Sequence, residues 1–145
     1  MAWSASAIFR EWVTGPMWQA SGTGYTGLDG DTVKVALYDN DITPDKDAAV
    51  ASTGYNTGAW ASAGNEVTDV TNWVAGGRTL ASKTFTTPAT GVSMFDAADL
   101  AGGGTGTLIN AYGCLVYDDT NTAGTVADQG VCYNYFGGAN SVVNG

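Results

Sequence analysis

Between residues 32 and 38 apolar and polar positions alternate. Val33, Val35 and Leu37 fall between Thr32, Lys34 and Ala36. A period of two sets the three apolar side chains on one face of a strand. Further strands are predicted along the chain. One spans 78–87, anchored by Leu80 and Phe85 and stopped by Pro88. Others span 92–95, 107–111 and 112–117. The last spans 129–136 and carries Tyr133, Tyr135 and Phe136, with Gly137-Gly138 expected to break it. Between 48 and 73 the pattern fades. Tyr55, Trp60, Val67 and Trp73 stand in Gly-, Asn- and Thr-rich sequence, which predicts a long ordered loop with one or two short strands.

One stretch has helical spacing. Over residues 4–13, Ser4 is placed to cap a helix, and Ile8, Phe9 and Trp12 recur on one side. Gly15-Pro16 would stop it. Met17 and Trp18 follow, then the Gly/Ser/Thr-rich run 20–27. The expected organisation is therefore an N-terminal arm and flexible tether over 1–27, and a single domain over 28–145. The expected fold class is all-β, an antiparallel β-sandwich, jelly-roll-like or Ig-like, with a short helix in the arm. Asn144-Gly145 is a strong hairpin signal with no second strand after it. The expectation is a domain lacking its last strand, or a sheet edge closed by a neighbouring subunit.

Composition supports sheet over helix. The 145 residues suit one core, and the 14 acidic residues comprise 12 Asp, largely in turn-like contexts, and only 2 Glu. The formal charge is −9, with five basic residues and no His. Without His there is no Ser-His-Asp triad, no Cys-His dyad and no His-ligated zinc. An acidic chain with scattered cations is not built to grip nucleic-acid phosphates. No apolar run reaches the ~18–20 residues of a membrane span. The N-terminus has no basic region ahead of an apolar stretch, so a cytoplasmic product is expected. Cys114 and Cys132 fall on neighbouring predicted strands, where either two buried thiols or a bridge would fit. A reducing cytoplasm favours the thiols.

Candidate chemistry is sparse. Asp39, Asp41, Asp45 and Asp47 offer oxygen ligands, but Pro44 stands where a calcium loop needs Gly, and no Glu closes the loop. Glu11, Glu66, Asp69, Asp96 and Asp99 could supply a carboxylate pair of the glycosidase kind, as any acidic chain could. The glycine run 102–106 lacks the Lys-Ser/Thr ending of a phosphate loop. The expectation is no catalytic residue, no cofactor and no metal. Trp60, Trp73, Tyr112, Tyr117, Tyr133, Tyr135 and Phe136 are candidates for the core, for a partner contact or for a sugar-stacking platform. In the arm, Trp3, Ile8, Phe9, Trp12, Met17 and Trp18 are too apolar to stay in water. They must fold back on their own domain or dock on another subunit, and subunit contact is the expectation.

Several stretches carry a resemblance. They are residues 7–10 (AIFR), 32–40 (TVKVALYDN), 64–68 (GNEVT), 112–119 (YGCLVYDD) and 127–138 (ADQGVCYNYFGG). Together they resemble a family of small virion structural proteins, capsid decoration or minor capsid proteins, of tailed phages that infect actinobacteria. The resemblance spans nearly the whole chain. It implies no catalytic residues. It implies an oligomeric protein, with a trimer as one form, that is assembled in the host cytoplasm. Such a protein would sit on the virion head surface, bind the major capsid protein and stabilise the capsid exterior. Family members run longer at the C-terminus, with a further strand after the Asn-Gly turn. A host- or carbohydrate-binding module on the tail or head surface is the alternative expectation.

Overall fold

The computed structural model describes residues 3–10, 12, 28, 30–69, 71–90, 92–100, 106–121 and 127–143. The described residues form seven strands: β1 (Ala7–Ile8), β2 (Val33–Tyr38), β3 (Arg78–Thr79), β4 (Thr84–Ala89), β5 (Val92–Asp96), β6 (Thr107–Asp118) and β7 (Gln129–Val143). Five of them form one antiparallel sheet in the order β1-β7-β6-β2-β3, and β4-β5 form a separate two-stranded sheet. Among the described residues, helical backbone is confined to Arg10, Trp12 and two 3-10 turns, Val50–Ser52 and Gly58–Trp60.

The register assigns side chains to faces, because directly paired residues point the same way. Tyr38 pairs Gly113, Ala36 pairs Leu115, and Leu115 pairs Tyr133. This face is covered by Trp3, Phe9 and the segment 42–77, including Trp60 and Tyr55. Val35 pairs Val116 and Leu37 pairs Cys114 on the other face, and they too are buried. Leu80, Phe95 and Leu100 pack against the core. A strand covered on both faces needs apolar residues at every position, and β2 from Val35 to Tyr38 is buried throughout.

The sequence expectation is corrected in five places. The helix predicted from Ser4 is not formed there. Ala7 and Ile8 instead pair with Tyr133 and Cys132, and the Phe9 N–H donates to the Val131 carbonyl at 3.1 Å. The rest of that helix, at Glu11 and Val13, lies outside the described residues. The predicted strand 78–87 is two strands, interrupted where Ser82 takes a left-handed φ of 51°. Pro88 does not end β4, since a two-stranded ribbon leaves outward edges on which a missing N–H costs nothing. The strands at 107–111 and 112–117 are one strand with bulges. The last strand runs through Gly137-Gly138, whose φ values of 83° and 156° absorb a bulge rather than stop pairing.

Two strand glycines show how the N-terminal segment is seated. A Cβ on Gly113 would sit 2.5 Å from the Trp3 ring, and one on Gly130 would meet the Thr53 carbonyl oxygen and, at 2.6 Å, the Phe9 ring. Glycine inside a strand is weak on its own terms, and here it makes room for an aromatic ring. Gly130→Ala is therefore expected to lose about 1–3 kcal/mol of stability through overpacking. Urea denaturation of the full chain measures it, and a loss within about 0.5 kcal/mol would mean the contact is loose.

Candidate functional site

Trp3, Phe9 and Trp12 are buried in the chain's own core, at 3%, 0% and 5% exposure. Trp3 packs edge-on to Trp60 and Tyr133 with centroids at 5.7 and 5.9 Å, and its Nε1 donates to the Asp39 carbonyl at 2.7 Å. Phe9 meets Trp60 and Tyr133 at 5.9 and 5.5 Å. The Arg10 N–H donates to the Lys46 carbonyl. Residues 3–10 thus belong to the sheet domain rather than to a separate arm, and three of the six expected contact residues are used up inside it. The reason is physical: β7 offers an edge to pair with, and Gly113 and Gly130 offer two slots for rings. Ile8 points away and is 56% exposed. Met17 and Trp18 lie outside the described residues, as does the tether 20–27.

The candidate sugar platform is likewise mostly buried. Trp60 and Trp73 are 1% and 7% exposed, and Tyr117 and Tyr133 are buried. Tyr55 stacks on Tyr117 at 4.9 Å. The Tyr117 hydroxyl donates to the Gly76 carbonyl, and the Tyr55 hydroxyl donates to Glu66 Oε2 at 2.9 Å. Gly76 N–H donates to Glu66 Oε1 at 2.8 Å. Burial raises the Glu66 carboxyl above its ordinary range, and these two donors work against that shift. The network ties the covering segment to the sheet. Beside it lies a shallow cleft of about 390 Å³ lined by Asp39, Glu66, Val67, Thr68, Thr107, Ile109 and Asn110.

The remaining acidic candidates are turn formers. Asp39 Oδ1 accepts from the Asp41 N–H, and Asp45 Oδ1 accepts from the Asp47 N–H, both at 2.9 Å. Asp69 Oδ1 accepts from Thr71 and Asn72, and Asp96 Oδ1 accepts from Ala97. Among the described residues, no three His, Cys, Asp or Glu side chains are grouped to hold a metal ion. Glu11 and the glycines 102–105 lie outside the described residues. Cys114 and Cys132 are unbridged, and burial pushes their thiols up to about 11 and about 12, far from the reactive thiolate.

Two features escaped the sequence reading. The first is a buried carboxyl pair, Asp31 at 2% exposure and Asp118 at 0%. Burial and then the neighbouring Asp31 raise the Asp118 carboxyl to about 6. Its signal was faint, since Asp31 and Asp118 each stand beside turn residues. The second is the far half of the β6–β7 ribbon. Beyond Tyr135, β7 pairs with β6 alone among the described strands. Ile109, Phe136, Val142 and Val143 are 55%, 42%, 49% and 65% exposed there. The chain has no charged residue from Leu100 to Tyr117 or from Gln129 onward, although it carries −9 overall. Both charge-free runs were readable in the sequence, although residues 48–65 and 12–28 are uncharged over similar lengths.

No protein-family model matches the sequence, and no curated protein or solved structure matches it either.

Proposed function

We propose that this chain is a phage virion structural protein that decorates the capsid exterior, binding across subunits of the major capsid protein and bracing them. The observation that carries this reading is the uncharged far half of the β6–β7 ribbon, with four large apolar side chains exposed on a chain of net charge −9. Large apolar side chains exposed along one ribbon, on both of its faces, suit an interaction surface. The resemblance of residues 112–119 and 127–138 to virion proteins points to the same class. We read the fold as a reduced sandwich, with β4-β5 and the residues Leu80, Phe95 and Leu100 as its smaller second layer.

The mechanism is burial. Each ~100 Å² of apolar surface removed from water contributes about 2.5 kcal/mol before the costs of association. Repetition around a symmetric shell multiplies a weak contact, and binding to the assembled state stabilises that state by mass action. Ile109 and Phe136 are the anchors the ribbon offers, with Ile8 as a further exposed apolar group. The acidic remainder faces solvent and keeps the particle soluble.

The test uses heads stripped of this protein and rebound with purified full chain. The intact chain is expected to bind and to raise the temperature at which the heads open. Ile109→Asp with Phe136→Asp is expected to abolish binding while leaving the melting temperature of the free protein nearly unchanged. Equal binding by the double variant would overturn the ribbon as the contact. Failure of the intact chain to bind heads, with immunogold label confined to the tail, would overturn decoration and favour the host-binding alternative.

A further inference from the structure

Among the described residues the outer edge of β7 over 136–143 is unpaired, and we infer that it pairs with the same edge of a second copy of this chain. The first half of that edge is already taken. Ala7 and Ile8 pair with Tyr133 and Cys132, and Ser6 Oγ accepts from the Tyr135 N–H at 2.8 Å. The N-terminal segment then turns inward to seat Trp3 beside Gly113. Among the described residues nothing covers the edge from Phe136 onward. An edge strand presents a row of backbone N–H and C=O groups that template pairing with another chain.

Natural sheets blunt such edges with Lys, Pro or inward charge. This one has none: residues 136–143 read FGGANSVV, without a charged residue or a proline. Gly137 and Gly138 form a bulge, and residues 139–143 lie beyond it, facing β6 across a second register shift between Leu108 and Ala111. Their side chains are exposed, and Val142 and Val143 point to opposite faces, so pairing would bury an apolar group on each side of the ribbon.

The charge distribution selects the partner. Two copies each carry −9, so most surfaces repel a second copy. The β7 edge is one place where like meets like without like charges in register. Antiparallel pairing about a two-fold axis is also self-complementary, since each residue repeats the contact of its mate. A dimer of this kind continues the five-stranded sheet into a ten-stranded one through β7-β7 contact. The inference stands apart from the decoration reading, because it uses the backbone edge and requires no capsid.

Sedimentation equilibrium on the full chain, from micromolar to millimolar concentration, reads the association. The expected result is a reversible species of twice the chain mass. Hydrogen exchange read at the same concentrations should show amides 139–143 slowing as dimer forms. Val142→Lys with Val143→Lys should remove both effects, since cations then oppose each other across the axis. Both side chains are solvent-exposed, so the variant is expected to keep its sheet circular dichroism and melting temperature. A chain that stays monomeric throughout would overturn the inference. So would a dimer whose amides 139–143 exchange at the monomer rate, or a trimer, which a two-fold edge contact cannot build.

Discussion

Trp60→Ala is expected to cost about 3–5 kcal/mol, the range for deleting a fully buried large aromatic side chain. Domain stabilities are typically about 5–15 kcal/mol, so the variant would be marginal at best. Trp60 is the hub of the core: it meets Trp3, Phe9, Tyr38 and Tyr133 at centroid distances of 5.7, 5.9, 5.2 and 5.6 Å. It is 1% exposed, and its carbonyl accepts the Tyr38 hydroxyl at 2.7 Å. The cavity would therefore be lined by rings from β2, β7 and the N-terminal segment, none of which can collapse into it without leaving its own strand. At about 3–4 °C per kcal/mol for a chain of this size, thermal denaturation should show a drop of roughly 10–20 °C. Phe136→Ala is the control: 42% exposed on the ribbon, it should change stability by less than about 0.5 kcal/mol. A Trp60→Ala variant melting beside the wild type would mean the aromatic cluster is not the core.

The same geometry changes how function can be probed. Deleting residues 1–18 would remove β1, Trp3 and Phe9, and with them one wall of the core. Lost capsid binding by such a truncation would report unfolding rather than a missing anchor. Loss of glycan binding by Trp60→Ala would mislead in the same way. Substitutions on the exposed ribbon avoid both confusions.

The strands were legible because their patterning is local. Val33, Val35 and Leu37 announce β2 with no help from the rest of the chain. The N-terminal segment was not, because Ile8, Phe9 and Trp12 fit a helical stripe and a short strand equally well. A contact more than a hundred residues away decides between them: Ile8 opposite Cys132. The overlooked signal was glycine. Gly113 and Gly130 interrupt otherwise apolar strands, and such a residue marks the close approach of another group. That group is a ring from the N-terminus in both cases. The run through Gly137-Gly138 was missed for a related reason. Paired glycines with positive φ read as a terminator, yet in a long hairpin they host a bulge and pairing resumes beyond it. The exposed ribbon was half legible: its lack of charge is plain in the sequence, but its exposure depends on which strands fail to cover it.

Asp118→Asn is expected to stabilise the protein above neutral pH and to leave it unchanged in acid. Asp118 ends β6 with no exposed surface, beside Asp31, which is 2% exposed. Its Oδ1 accepts from the Thr120 N–H at 3.0 Å, while Oδ2 is buried without a donor. Burial and then the neighbouring Asp31 raise the Asp118 carboxyl to about 6 from the ordinary value of 3.8. The folded state thus binds a proton that the unfolded chain releases near pH ~4. Stability contributed by this group is complete below that pH, falls as pH rises toward about 6, and is lost above it. A gap of about two pH units has a ceiling of about 3 kcal/mol, and solvent screening at the strand end reduces it to about 1–2 kcal/mol. An asparagine keeps the Oδ1 acceptor for Thr120 and supplies the missing donor from Nδ2 toward Asp31, with no proton to lose. Urea denaturation from acid to alkaline pH should show wild type and variant coinciding near pH ~4 and separating by about 1–2 kcal/mol above pH ~7. Glu66 and Asp128 are also raised by burial, and Asp47 and Asp69 are lowered by their hydrogen bonds, so the wild-type curve alone mixes several groups. The difference between the two curves isolates Asp118. A constant offset at every pH would mean the substitution perturbs packing alone, and the Asp118 carboxyl would then titrate as it does in the unfolded chain.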